Sequence, residues 1–455
     1  MTSPPVSLRV CVIGAGPGGL AMARLLTAQG HAVTVLERIE RAGGMCRSVK
    51  FEGRWFDVGA NYVTKDYREV RALAKELDLT FVADKAFQNQ MSLDVHTKTI
   101  KSVQQTLKSG HSMPAFLAAA ARYLWAQFKY RKLVAAPGYV GVGAHTELMV
   151  PFATWLAAKR MKPLQKLFMI PITAMGFGTL DEIATPHALR YINARRFISM
   201  LLTGLNVPQR WPKRFTNGFG NAWKKVADEL QVEYLTETTS VVRSADGVQV
   251  TTTHGGVEQQ RLFDRLVVAI PPDTALGFLD ATEAEKALFG GDTILVNHYS
   301  VNTATVSNYP WWVVNTLQPA AGDSGAYPHE NGTPYIFGKQ WKESELNLYY
   351  APLHGNPSLQ QVRARLEEVS NISTAGHPDS VFGQWQCSAD WPSYFPRVSI
   401  PDMAGFQGEI GWYDQVETLQ GQHHTYYCHG ILSFELVELV MRYARHLVDR
   451  HFTVR

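Results

Sequence analysis

Leu8-Arg9-Val10-Cys11-Val12-Ile13-Gly14-Ala15-Gly16-Pro17-Gly18-Gly19-Leu20-Ala21-Met22-Ala23-Arg24-Leu25-Leu26 is the stretch on which the fold turns. A short apolar, β-branched run ends at Ile13, a glycine-rich turn follows at once, and Leu20 to Leu26 are spaced for a helix. Gly30 stops that helix, and Ala32 to Leu36 read as a second strand ending in Glu37. Gly14 permits the turn, and Gly16 lets a pyrophosphate approach the backbone. Gly18 and Gly19 open the helix, and Gly19 allows it to pack closely, so that N-terminal N–H groups face the phosphates. Glu37 stands where a carboxylate can accept both ribose hydroxyls of an adenosine. Strand, turn, helix, strand and placed acid together read as a dinucleotide site.

Composition supports a core-rich chain. Of 455 residues, 45% are hydrophobic and 18% charged, which leaves out disordered and fibrous classes. A prior of about one domain per 150 residues gives two or three units. The 44 Lys and Arg against 40 Asp and Glu include no basic tail, so nucleic acid is not an expected partner. Cys11, Cys46, Cys387 and Cys428 form no CxxC pair, which excludes a zinc ribbon or redox dithiol, and no metal is expected. Met113 to Phe128 is strongly apolar but contains Arg122 and falls short of the roughly 18 residues of a membrane span. It reads as an amphipathic helix running into Lys129, Arg131 and Lys132, a solvated face that leaves peripheral membrane contact open. Glycines break the N-terminal apolar stretch as they do not in a signal peptide, so the expected location is cytoplasmic.

After Glu37 come Arg38, then Arg41-Ala42-Gly43-Gly44-Met45-Cys46-Arg47-Ser48, then Phe56-Asp57-Val58-Gly59-Ala60-Asn61. An acid, a Gly-Gly turn and an Asp-x-Gly-Ala segment in this order resemble the flavin amine oxidase superfamily, which binds FAD. FAD is long and needs backbone-accessible turns beyond the first. The resemblance implies that Arg38, Gly44, Arg47, Gly59, Ala60 and Asn61 join the first glycines and Glu37 at the cofactor. Thr236 to Val242 followed by Val248 to Thr253 resembles the hairpin that covers the adenine, with Val241 at the cofactor. Leu266 to Pro272 is similar to the superfamily's buried strand closed by prolines. The implied fold is α/β, with a Rossmann-type FAD domain from residues 1–84, 205–272 and 380–455. Interleaved with it is a mixed helical and antiparallel-sheet substrate domain from 85–204 and 273–379.

Four further blocks resemble the bacterial polyenoic fatty acid isomerases, flavoenzymes that move double bonds in polyunsaturated fatty acids. They are Met149 to Phe152 with Ile170 to Gly178, Asn217 to Trp223, Tyr394 to Ser399, and Gly411 to Gly421 followed by Thr425 to Tyr427 and Ser433-Phe434. Gly430, Ser433 and Phe434 are thereby expected at the flavin. Two departures stand out. The superfamily's acid on the ribityl chain is replaced by Cys428-His429-Gly430, with Glu435 or Glu438 as substitutes from the following helix. Where the isomerases place an arginine for the fatty carboxylate, this chain has Gln88, Asn89 and Gln90, so Arg195 or Arg196 must serve or the substrate is not a free acid.

No GxSxG, HExxH or metal pattern is present, and His423, His424 and His429 read as structural. The strand Ile294 to Val301 carries no lysine of the kind amine oxidases place near the flavin; Lys339 is a stand-in that reads better as a surface residue. A flavin N5 can take hydride from a bis-allylic carbon and return it elsewhere, with aromatic faces steadying the pentadienyl cation and no side-chain base. Tyr62, Phe168, Phe177 and Phe219 are the expected channel lining. The resulting expectation is an FAD-dependent double-bond isomerase of a lipid-like small molecule. The alternatives are an amine oxidase or desaturase with net oxidation, and a lipid-binding escort protein without flavin chemistry.

Overall fold

The computed structural model describes residues 7–84, 90–103, 111–204, 212–316 and 331–452. Five short strands form a wholly parallel sheet in the order Thr425–Tyr427, Arg265–Val268, Arg9–Ile13, Ala32–Leu36, Val232–Glu233. Every residue of the central strand after Arg9 is buried, as a parallel strand covered on both faces requires. The helix Pro17–Ala28 covers the sheet and packs against the C-terminal helix Val437–His451. A three-stranded antiparallel sheet, Thr236–Ser244, Gly247–His254 and Val257–Phe263, stands beside it.

The second large sheet has seven strands in the order Val381–Arg397, Leu295–Ser307, Leu346–Leu353, Ile336–Lys339, Val313–Asn315, Gln90–Asp94, Thr99–Ser102. All neighbours are antiparallel except Val313–Asn315 with Gln90–Asp94. This corrects the boundary expected at residue 380. Val381–Arg397 belongs to the substrate sheet, because it pairs with Leu295–Ser307 from Ser307↔Val381 to Leu295↔Arg397. The parallel sheet takes up the chain again beyond that strand, at Thr425–Tyr427.

Helices between residues 113 and 204 make the remaining layer. On the long helix Met113–Lys129, Tyr123 and Gln127 turn inward. The Tyr123 hydroxyl donates to the Ile192 carbonyl at 2.7 Å, and the Gln127 amide donates to the Leu189 and Ile192 carbonyls at 3.0 and 3.1 Å. These bonds satisfy carbonyls that the helix Thr185–Tyr191 leaves open at its end. Among the described residues no helix is long and apolar enough to cross a membrane.

Candidate functional site

The site is built at the C-terminal ends of the parallel strands, where open α/β sheets place ligands. Gly14 has φ +104°, and a Cβ there would come within 2.7 Å of Ile270 Cγ2. At Gly19 a Cβ would overlap the Gly14 carbonyl oxygen, so the strand-to-helix crossing needs glycine. Gly16 differs. Its backbone is extended (φ −74°, ψ 174°), and the nearest atom to an added Cβ is Gly44 Cα at 4.0 Å. No side chain caps the helix that starts there, so its first-turn N–H groups have no side-chain acceptor. A second glycine turn closes over the first: Gly43 N–H donates to the Ala15 carbonyl at 2.8 Å, with Gly43 at φ +100° and Gly44 at φ +52°.

Glu37 is buried at the end of its strand and accepts the Ala15 N–H at 2.9 Å and the Ile39 N–H at 3.1 Å. A carboxylate so fixed retains lone pairs for ribose hydroxyls. Arg38 is exposed. The Val241 N–H donates to the Phe278 carbonyl, and its own carbonyl accepts the Asp280 N–H. The backbone nearer Glu37 is upstream, where Thr236 N–H donates to the Glu37 carbonyl at 2.9 Å. There a bulge between Thr238 and Ser240 breaks the ladder, and the buried Thr238 hydroxyl has no partner. An open glycine cradle, uncapped helix, fixed acid and orphaned hydroxyl fit an adenine dinucleotide.

The loop Asp57 to Asn61 carries the cradle toward the second sheet. Gln340 grips Asp57 in both directions, accepting its N–H at 3.0 Å and donating to its carbonyl at 2.9 Å. Trp391 donates to the Val58 carbonyl, and Asn61 donates to the Tyr350 hydroxyl at 3.1 Å. The Asp57 carboxylate accepts the Ser48 hydroxyl at 2.5 Å and the Phe219 N–H at 2.8 Å; burial nevertheless raises it to about 6. At Gly59 a Cβ would overlap the Met45 carbonyl, which explains the glycine. Arg47 reaches the Ser388 carbonyl at 3.4 Å.

Tyr62, Tyr350, Tyr394, His429 and Glu435 are partly buried. Beside them is a cluster of rings. Phe434 meets Phe177 at 4.9 Å, Phe395 at 5.0 Å and Tyr191, stacked, at 5.3 Å. Tyr394 stacks on Phe177 and on Tyr299. Phe434 holds φ +95° and Phe395 φ +50°, conformations bulky residues adopt only under constraint. Glu435 ties the two strained segments together by accepting the Phe395 N–H. Burial pushes the Glu435 carboxyl up to about 8. Glu438 is committed elsewhere, accepting the Glu69 and Val70 N–H groups at the start of the helix Arg68–Glu76. Of the two expected substitutes for the ribityl acid, Glu435 is the one bonded to the ring cluster, through Phe395. Gly430 and Ser433 are buried in the turn before Phe434, and Ser433 donates to the Phe434 carbonyl.

The other expected residues are scattered. Phe168 is wholly buried among Phe152, Phe197 and Tyr123, in the helical core and outside the ring cluster. Phe219 packs on Phe215 at the start of its helix. Arg196 is buried and paired with Asp66 at 2.7 Å, with its guanidinium over the Tyr67 and Tyr191 rings. That pairing commits its charge to Asp66. Arg195 is exposed. Gln88 and Asn89 lie outside the described residues. Burial lowers the Lys339 ammonium, whose charged neighbours are Glu345 and Glu343. A second cation beside the rings is Arg397, 5.4 Å from the Phe395 ring and donating to Asn297 Oδ1 at 2.9 Å. It has no carboxylate in ion-pair reach among the described residues. It stood inside a quoted motif, yet only the chain's return beside Phe395 reveals its position.

The family model for flavin containing amine oxidoreductase matches residues 17–289. AofH of Mycobacterium tuberculosis, whose name assigns it provisionally to the flavin-containing monoamine oxidases, is 27% identical over 275 residues. That alignment covers 60% of this chain and 59% of AofH. The CLA-producing fatty acid isomerase from P. acnes superposes with a TM-score of 0.82 at 23% identity, over 98% of this chain and 99% of that one. Putrescine oxidase bound to putrescine superposes at 0.63 with 16% identity and the same coverage. At these identities the structural likenesses establish the α/β fold, with its Rossmann-type parallel sheet and mixed second sheet. With more than half its length matched by the family model, and a cradle that fits FAD, the chain belongs to the flavin-containing amine oxidoreductases, an FAD-dependent enzyme family.

Proposed function

We propose that this flavoenzyme takes an apolar, unsaturated, fatty-acid-like substrate and relocates its double bonds without net oxidation. The observation that carries the reading is the ring cluster of Phe177, Tyr191, Tyr394, Phe395 and Phe434, whose charged neighbours are the Arg196 and Arg397 guanidiniums and which offers no side-chain base. Burial holds His187 down at about 3 and His429 at about 4, so both are neutral. Glu435, near 8, is protonated at neutral pH. Tyr299 and Tyr394 donate their hydroxyls to the Ala174 and Met175 carbonyls at 2.5 and 2.8 Å, which pins the rings and keeps them protonated. Bound FAD supplies the hydride acceptor and donor at N5. The rings exclude water and present π faces to a positive charge developing on the substrate, an attraction of about 0.5–2 kcal/mol per face. Likeness to the P. acnes isomerase over nearly the whole chain supports the choice of substrate class.

The test is anaerobic mixing of the yellow holoprotein with polyunsaturated acids and esters, followed by conjugated-diene absorbance and flavin bleaching. Diene formation without oxygen uptake is the expected result. Turnover that needs oxygen and releases peroxide would replace this reading with amine or lipid oxidation, in line with the names of AofH and putrescine oxidase. Protein that purifies colourless and cannot be reconstituted with FAD would favour the escort reading.

A further inference from the structure

The long helix Met113–Lys129 has two unlike faces. Its inner face buries Ala119, Ala120, Tyr123, Ala126 and Gln127 against the helical core. Its outer face is apolar as well. Met113 is 59% exposed, Leu117 60%, Trp125 66% and Phe128 55%, and Ala118 and Ala121 lie open between them. Spacings of four, eight and three residues put these side chains on one stripe. Water-facing helices normally place charge there, and four large exposed apolar groups on one stripe mark a contact surface.

The flanks are basic. Arg122, Lys129, Arg131 and Lys132 border the stripe, and the Arg131 guanidinium lies 4.5 Å from the Phe128 ring. Lys159, Arg160 and Lys162 sit alongside, linked by an Arg122 bond to the Arg160 carbonyl. From residue 111 to 180 the chain has eight Lys and Arg and one acid, Glu147, although its overall balance is only +4. Positive charge is therefore concentrated around this stripe, and the rest of the chain is net acidic.

We propose that the outer face of this helix docks on membranes containing anionic phospholipids, with Leu117, Trp125 and Phe128 entering one leaflet while the basic flank meets the headgroups. Trp and Phe on an interfacial helix bordered by Lys and Arg is the pattern of a surface-lying anchor. Charge argues for lipid over a second copy of the chain, since self-association would set this basic surface against itself. The proposal stands whichever reaction the flavin performs. It also has a structural corollary: the same helix, through Tyr123 and Gln127, holds the helix that presents Tyr191 to Phe434, one layer from the ring cluster.

Flotation of the holoprotein with vesicles tests this. Wild type should float with phosphatidylcholine vesicles containing phosphatidylglycerol and bind weakly to phosphatidylcholine alone. Trp125→Ser with Phe128→Ser should lose binding by more than about tenfold while the flavin spectrum and thermal midpoint stay unchanged, because both rings are exposed in water. Lys132→Gln and Lys159→Gln should each cost roughly fivefold on anionic vesicles and reduce the salt sensitivity. Wild type that stays unbound on every vesicle would overturn the proposal. So would serine variants that bind as wild type does, or a dimer that the serine variants dissociate.

Discussion

Replacing Gly16 by valine separates cofactor binding from folding. Gly16 is in extended backbone, which valine adopts readily, and the nearest atom to its new Cβ is 4.0 Å away. The apoprotein should therefore keep its stability to within about 1 kcal/mol, since loss of a glycine from the unfolded chain and a poorer helix-start residue act in opposite directions. FAD should fare differently. The valine methyls occupy the ground in front of the first-turn N–H groups, where a pyrophosphate must lie. Losing two charge-assisted bonds of about 1.5–3 kcal/mol each weakens binding by roughly two to four orders of magnitude. Gly19→Val is the control, because its Cβ overlaps the Gly14 carbonyl and approaches the Ala269 Cβ at 3.1 Å. The measurements are flavin-to-protein ratio after purification, FAD titration of stripped protein, and apoprotein thermal unfolding. Gly16→Val protein that is fully yellow, or that unfolds as Gly19→Val does, would refute the reasoning.

Glu37→Ala should weaken FAD binding and also cost the apoprotein about 1–3 kcal/mol, because the buried Ala15 N–H loses its acceptor; thermal melts with and without FAD separate the two. Arg196→Met should lower stability by about 3–5 kcal/mol, as it strands Asp66 in the interior, and denaturant unfolding reads this directly. The Glu435 carboxyl, raised from 4.5 to about 8, favours the folded apoprotein fully below 4.5, and that contribution is lost as pH rises through 8. Glu435→Gln should accordingly melt near wild type at acidic pH and above it in alkali; equal melting at both would show that the carboxyl ionises freely. Matched fatty acid and ester should titrate the flavin spectrum within tenfold of each other, about 1.4 kcal/mol, because Arg196 is committed to Asp66 and Arg195 faces solvent. A larger preference for the acid that disappears in Arg397→Met would overturn this and make Arg397 the clamp.

The parts of the molecule legible in sequence are those whose signals are local. From Leu8 to Glu37 each residue type is dictated by its neighbours, and the strand, turn, helix and acid stand as read. The same holds for the Gly43-Gly44 turn and for the strand entering Pro271. What failed to show depends on distant partners. Val381–Arg397 looks the same whether it joins one sheet or the other, and only its pairing with Leu295–Ser307 decides. The backbone partners of Val241, Phe278 and Asp280, lie far along the chain and leave no signal in the strand itself. Phe168 and Phe177 are equally aromatic, yet one packs on Tyr123 and the other on Phe434. Arg196 could not be told from a free arginine until Asp66, 130 positions away, was found beside it.

The parallel sheet has a consequence for biosynthesis. Its central strand Arg9–Ile13 leaves the ribosome long before the edge strand Thr425–Tyr427 is made. The Cys428 carbonyl that would lie 2.9 Å from a Gly18 Cβ, and the Val440 side chain at the same distance, arrive with it. The nascent chain therefore exposes an unfinished sheet edge and an uncovered helix Pro17–Ala28 until those later segments emerge. Non-local closure of this kind is slow and leaves intermediates prone to aggregation. The helix Pro17–Ala28, whose uncapped N-terminus belongs to the cofactor cradle, therefore gains its cover only once the helix Val437–His451 has been made and docked.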